Sequence, residues 1–229
     1  MHEYIEVNKE AYNFLANEYF ENLMKHDNYY RHVSEKICEF IFKEASFLEK
    51  TNNNKLNILE LGCGVGGILK VLKKYSNINI YAIDFSENMI SFARQSNNSV
   101  HIENINILDV STIENLFKEK ISKKIDIIIM AAFIHLFPMQ DAEIIMKNIR
   151  NWLSPKNAIY IDTTDEKEFK DGQLSNKRSK MKAIKYFRTF WTKEKFNIFL
   201  NNCGYKIIAQ RDHVSNDNKT WMRTVIIAE

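Results

Sequence analysis

Three short stretches, each ending an apolar run in glycine or acid, carry the most readable chemistry in this chain. The first is Ile58-Leu59-Glu60-Leu61-Gly62-Cys63-Gly64-Val65-Gly66-Gly67. Glycines let a backbone turn tightly and approach a ligand with no Cβ in the way. A helix opening at Gly67 would offer its free N–H groups to that ligand. The second is Ile80-Tyr81-Ala82-Ile83-Asp84. A carboxylate at that place can accept hydrogen bonds from both hydroxyls of a ribose. The third is Asn106-Ile107-Leu108-Asp109. There an acid can accept from the exocyclic amine of adenine, with Val110 donating through its backbone. Phe85 and Met89 supply apolar surface to sandwich the base. Together these residues describe nucleotide binding. Read alone, Gly62-x-Gly64-x-x-Gly67 also satisfies the dinucleotide fingerprint, so an NAD-dependent oxidoreductase stays open here.

Such positions need a sheet edge to hold them. Strands are expected at 56–61, 79–83, 101–107, 125–132 and 158–162, with helices at 67–75, 87–95, 112–121 and 141–153 between them. Ile125 to Ala132 is continuously apolar, as in a central parallel strand buried on both faces. Strands alternating with helices mean a parallel sheet covered on both sides. Ligands bind such sheets at the carboxyl ends of the strands, which is where Gly62, Asp84 and Asp109 fall. The alternation stops at Thr163. A helix at 192–202, capped by Thr192 and stopped by Gly204, leads to strands 206–211 and 221–228 around a Ser215-Asn216-Asp217-Asn218 turn. That is an antiparallel hairpin. Ahead of all this, 10–25 and 30–48 read as helices, with Ile37, Phe40, Ile41 and Ala45 at helical spacing in the second, and Thr51 to Asn54 as a polar break.

Glu60-Leu61-Gly62-Cys63-Gly64-x-Gly66, then Asp84-Phe85-Ser86-x-x-Met89-Ile90, then Asp109, resembles the class I methyltransferase pattern in order and spacing. The resemblance covers residues 56 to 229 and includes the final hairpin. It implies a three-layer, doubly wound, Rossmann-like α/β fold with a seven-stranded sheet. It implies S-adenosylmethionine as the cofactor, leaving as S-adenosylhomocysteine, with no metal. It implies that the glycine loop holds the methionyl moiety, that Glu60 orients the loop, that Asp84 holds the ribose and that Asp109 meets the adenine. The cofactor-binding residues expected on this basis are Tyr19, Glu60, Gly62, Cys63, Gly64, Asp84, Phe85, Met89, Asp109, Val110 and Ala131. One departure stands in Leu153-Ser154-Pro155-Lys156-Asn157, where Pro-Gly-Gly is usual, and it lies away from the expected site.

Methyl transfer is an in-line displacement at a sulfonium carbon, so positioning and exclusion of water carry much of the rate. A base is required only when the acceptor must lose a proton. His135, after the fourth strand, is the candidate base or substrate contact, since its ordinary pKa suits that exchange. The alternative is that it shapes the pocket. Tyr12-Asn13-Phe14-Leu15-Ala16-Asn17-Glu18-Tyr19 resembles the lid helix of small-molecule methyltransferases. Residues 1–50 are therefore expected to form a helical lid on a methyltransferase domain at 51–229, with Tyr12 as a second catalytic candidate. An insertion at 166–191 is expected to cover the acceptor, bringing Arg188 and Trp191 to it, with Tyr30 from the lid. Its run 177–188 contains no acid, which suits an anionic acceptor or, alternatively, a solvated loop.

Composition narrows the classes. The chain has 229 residues, 45% hydrophobic and 27% charged, with net charge +3. That charge is too weak to argue for nucleic acid, although an RNA or protein methyltransferase using loop 177–188 remains the alternative within the class. A noncatalytic nucleotide-binding scaffold is the other. Three distant cysteines, Cys38, Cys63 and Cys203, argue against a disulfide framework or zinc site and for a reducing cytoplasm. No basic-apolar leader and no membrane-length apolar run is expected. The leading expectation is methyl transfer to nitrogen or oxygen of a small molecule.

Overall fold

The structure is a computed structural model that describes residues 3–25, 27–48, 55–121, 124–216 and 218–228, with side chains omitted at 27–30, 120 and 178. The expected polar break at 51–54 and Asp217 of the final turn lie outside the described residues. Five parallel strands come first: β1 (Leu56–Leu61), β2 (Ile78–Asp84), β3 (His101–Asn104), β4 (Ile125–Met130) and β5 (Leu153–Thr164). A separate pair, β6 (Lys170–Arg178) and β7 (Ala183–Phe190), is antiparallel. The chain closes with β8 (Tyr205–Val214) and β9 (Thr220–Ala228). The main sheet has the order β3-β2-β1-β4-β5-β9-β8, with β9 antiparallel to both neighbours. This is the seven-stranded, doubly wound fold with an antiparallel end that the sequence leads one to expect.

Alternation along the central strands explains the three layers. In β4, Ile127 and Ile129 join one apolar cluster while Ile128 and Met130 join the other. The first cluster is covered by α2 (Asp27–Glu44) and α3 (Gly67–Leu72), through Ile37, Ile41, Val71 and Leu72. The second is covered by α5 (Val110–Leu116), α6 (Met139–Ile149) and α7 (Lys193–Asn202), through Ile113, Ile145, Phe196 and Leu200. Burying each such side chain contributes roughly 1.5–3 kcal/mol. Beyond β1, α4 (Glu87–Ser96) packs Ile90 and Ala93 against Ala82 and Ile102. Asn157, at the departure from Pro-Gly-Gly, donates to Ser154 O and accepts from Ala228 N, tying β5 to the end of β9.

The first helix differs from the second in what it covers. Helix α1 (Glu3–Lys25) starts seven residues earlier than the sequence suggests and crosses the carboxyl edge of the sheet. Helix α2 is a layer helix against the sheet face. Only α1 therefore lies where a lid would lie. The stretch 166–191, expected as an irregular insertion, contains the β6–β7 hairpin. The signal was present: Ile184, Tyr186 and Arg188 are buried at spacing two, but charges on both strands disguise the period.

Candidate functional site

The turn after β1 is built by glycine. Gly62, Gly64 and Gly66 have φ of 72°, 53° and 83°, a region that side chains disfavour. Gly62 N and Cys63 N donate to Ile83 O at 2.9 and 3.2 Å, fastening the turn to the end of β2. A Cβ on Gly62 would enter the Phe133 ring at 2.3 Å, and one on Gly66 would meet Asn97 Nδ2 at 2.4 Å. Gly64 differs: no atom lies within 4 Å of where its Cβ would be. Its outer face is open for close approach by a ligand.

Asp84 anchors this turn. Its Oδ2 accepts from Gly64 N at 2.8 Å, and its Oδ1 accepts from Ser86 N at 2.9 Å. Burial raises its pKa, and N–H bonds from Ser86, Gly64 and Phe85 oppose that rise. Glu60 lies below, buried, with Oε2 lacking any partner among the described residues. Burial, then the charge of Asp84, pushes its pKa well above the ordinary value. Gly62, Asp84 and Phe85 line a cavity of about 390 Å³, partly open to solvent, together with Asn106, Phe133 and Leu136. Its position, at the ends of β1, β2 and β4, is where open α/β sheets bind ligands.

Helix α1 roofs this cavity with Tyr4, Ile5 and Asn8. Asn8 is buried and uses its whole amide. Nδ2 donates to Leu136 O and to Phe187 O, both at 3.1 Å, and Oδ1 accepts from Phe187 N at 2.7 Å. Tyr4 donates to Asp141 and packs its ring 4.6 Å from that of Phe187. Asn13 accepts from Ser86 Oγ at 2.7 Å and from Asn88 N at 3.2 Å. One helix thus ties together the ends of β2 and β4 and the β6–β7 hairpin.

A second group of polar side chains lies beside this roof. The Lys177 ammonium sits 4.7, 5.3 and 5.8 Å from the ring centres of Tyr19, Tyr12 and Tyr186. It donates to Tyr19 Oη. Arg188, 6% exposed, donates to Tyr186 Oη at 3.4 Å, to Thr164 Oγ1, and to Glu166 Oε1 at 3.2 Å. His135 is also 6% exposed, with its ring 6.2 Å from that of Trp221. Burial, then the charges of Arg188, Lys177 and Lys219, lower its pKa well below 6.5, leaving a neutral imidazole at pH 7. The turn that carries it is set by Ala132, whose φ is 51° and whose N–H donates to Asp162 Oδ1 at 2.5 Å.

Several expected contacts are placed elsewhere. Asp109 is exposed and caps α5, accepting from Thr112 N at 3.2 Å, Thr112 Oγ1 at 2.7 Å and Ser111 Oγ at 2.8 Å. A carboxylate at an N-cap position satisfies orphan helix N–H groups first, so it does not face the cavity. Val110 merely opens that helix. Met89 packs with Ala16, Leu23 and Val65 under α1 rather than beside Phe85. Cys63 turns into the apolar cluster of α4, and Ala131 packs against the cluster under α2. Trp191 is 0% exposed and packs tilted or edge-on among Phe169, Phe196 and Phe199. It belongs to the core, not to an acceptor site. The Tyr30 side chain lies outside the described residues. Nothing in the spacing of Tyr4 and Asn8 distinguishes them from surface residues, while Asn106 reads only as part of the stretch ending at Asp109 and Lys177 only as the start of the basic run. The basic run is also less free than it reads, since Lys180 meets Glu21 at 3.4 Å and Lys182 covers the Phe14 ring at 4.8 Å. Among the described residues no group of three His, Cys, Asp or Glu could hold a metal ion, and no helix is long and apolar enough to cross a membrane.

A family model described as a methyltransferase domain matches residues 52–225. The chain is 27% identical over 193 residues to malonyl-[acyl-carrier protein] O-methyltransferase 2 of Ilyobacter polytropus, a match covering 82% of this chain and 66% of that protein. It thus spans just under two thirds of that curated relative. Among solved structures, a DhpI–SAM–HEP complex superposes with a TM-score of 0.68 at 14% identity, covering 99% of each chain. An S-adenosylmethionine-dependent methyltransferase from Clostridium acetobutylicum gives 0.62 at 16% identity, covering 93% of this chain and 97% of that one. At such identities these two likenesses concern the fold.

Proposed function

Because the chain belongs to the class I methyltransferase-domain family, we propose that it binds S-adenosylmethionine over the Gly62–Gly66 turn and methylates nitrogen or oxygen of a small molecule. The observation that carries this reading is the open face of Gly64, whose N–H donates to the buried carboxylate of Asp84, a residue that lines the cavity with Gly62. The orphaned Oε2 of Glu60 beneath the turn is a further polar atom awaiting a partner or water. These residues fit the adenosyl and methionyl parts of that cofactor. When bound, it supplies a methyl group on a sulfonium, an excellent leaving group.

The chain's own residues then have defined tasks. Asp84 accepts from the ribose hydroxyls with the lone pairs its backbone donors leave free. Phe85 and Asn106 flank the base. Phe133, held against Gly62, and Leu136 enclose the methionyl end, with Tyr4 and Asn8 above. Helix α1 and the β6–β7 hairpin act as the cover that keeps water away from the transfer. Tyr12, Tyr19, His135 and Arg188 face the acceptor side.

Calorimetric titration with S-adenosylhomocysteine, with NADH as the control ligand, tests the cofactor. Micromolar binding of the first and none of the second is expected. Binding of NADH alone would replace this reading with that of an oxidoreductase. Asp84→Ala should weaken S-adenosylhomocysteine more than tenfold, since ribose hydroxyls would be left unpaired in a buried site; unchanged affinity would remove Asp84 from the ribose.

A further inference from the structure

Among the described residues the Lys177 ammonium has no counter-charge. Three tyrosine rings surround it, and it forms no ion pair with any described residue. Cation–π contact returns part of the lost hydration, but an uncompensated, half-buried cation remains costly. Tyr186 joins it to Arg188, whose guanidinium lies beyond the same ring. Arg188 has one carboxylate partner, Glu166, and its buried Nε has none. Thr164 accepts from Arg188, and opposite Thr164 in the β5–β9 register stands Trp221, which packs against His135. Nδ1 of His135 is likewise buried without a partner. Among the described residues, Lys177 and Arg188 thus have one carboxylate partner between them, Glu166 on Arg188, and Arg188 Nε and His135 Nδ1 are buried and unpaired, in a group packed beside α1.

On the reading that this is a methyltransferase, we propose that the acceptor is a carboxylic acid, seated between Lys177 and Arg188, and that the product is its methyl ester. A carboxylate offers about four lone-pair directions, enough for an arginine, a lysine and the incoming carbon. The neighbouring chemistries fit less well. An ammonium-bearing acceptor would meet two like charges. A hydroxyl acceptor would need a base, and the neutral His135 is made a weak one by its burial and by the charges of Arg188, Lys177 and Lys219. A carboxylate arrives without a proton to lose. One of its oxygens forms the new O–CH3 bond as the C–S bond breaks, and the electron pair of that bond stays on sulfur as a neutral thioether. No proton moves, and the charges of carboxylate and sulfonium cancel.

The test uses the whole chain saturated with S-adenosylhomocysteine and titrated with octanoate and benzoate against their primary amides and the matching amines. Tryptophan fluorescence reports binding through Trp221. Carboxylates should bind at least tenfold more tightly than their amides. Lys177→Gln and Arg188→Gln should each erase that preference, while Lys177→Arg should restore it. With S-adenosylmethionine and the same acids, mass spectrometry should find an alkali-labile methyl ester, lost in the Gln variants. S-adenosylhomocysteine affinity, measured in every variant, reports an intact fold. Equal binding of acid and amide, a preference for amines, absence of carboxylate binding, or an unaltered preference in Lys177→Gln would each overturn the carboxylate proposal while leaving the cofactor reading in place. Failure of wild-type protein to bind S-adenosylhomocysteine would instead remove the reading on which it rests.

Discussion

A histidine buried in the field of three cations, Arg188, Lys177 and Lys219, holds its proton weakly, and that gives His135 a measurable signature. Its folded-state pKa lies well below the ordinary 6.5, so the unfolded chain takes up this proton first as pH falls. The stability contributed by the neutral ring is then complete above the unfolded pKa and is lost as pH drops below it. His135→Gln should therefore flatten the fall in urea midpoint between pH 7.5 and 5. The wild type should lose up to about 1.4 kcal/mol per pH unit more than the variant. Parallel curves for the two proteins would show that the ring is not buried in neutral form. At the same scale, Asp109 warns against reading a motif acid straight into a ligand. A carboxylate next to a helix start has three local donors within reach, and these compete with any base.

At the scale of elements, α1 is the part whose attachment the sequence conceals. Asn8 makes three hydrogen bonds to two other elements. Asn8→Ala would leave Leu136 O, Phe187 N and Phe187 O to find water. The expected cost is about 1–3 kcal/mol, concentrated in α1 rather than spread over the sheet. Hydrogen exchange should accelerate in residues 3–25 and 184–188 while β1 and β4 keep their protection, and cofactor affinity should fall with it. Uniform acceleration would mean that α1 and the sheet open together. The β6–β7 hairpin belongs to the same assembly, since its strand β7 supplies two of the three bonds of Asn8, both through Phe187, and Lys177 and Arg188 come from its two strands.

At the scale of the whole molecule, the two N-terminal helices part company. Ile41 of α2 is 1% exposed and lies in the cluster with Ile58, Ile127 and Tyr160. Ile41→Ala should cost about 2–5 kcal/mol of global stability through lost burial and a cavity. It should leave S-adenosylhomocysteine affinity unchanged at temperatures where the variant is folded. Urea unfolding paired with calorimetry separates this from Asn8→Ala, where binding suffers and the sheet does not. A loss of affinity in Ile41→Ala would mean that α2, too, serves the site.

The sheet, its order of elements, the antiparallel end and the glycine turn with Asp84 were all legible in the sequence. They rest on local properties: apolar runs of strand length, glycines where φ must be positive, and an acid at the end of the next strand. The roofing residues Tyr4 and Asn8, the β6–β7 hairpin and the caging of Lys177 by tyrosines were not. Asn8, Lys177 and Arg188 draw partners from distant parts of the chain, as many as 179 positions away for Asn8 and 22 for the Glu166 partner of Arg188, and no local pattern records such pairings. The uses of Asp109 and Trp191 were likewise decided in three dimensions. A helix cap and an aromatic core claim a polar or an aromatic side chain as readily as a ligand does, and only the folded neighbours choose between them.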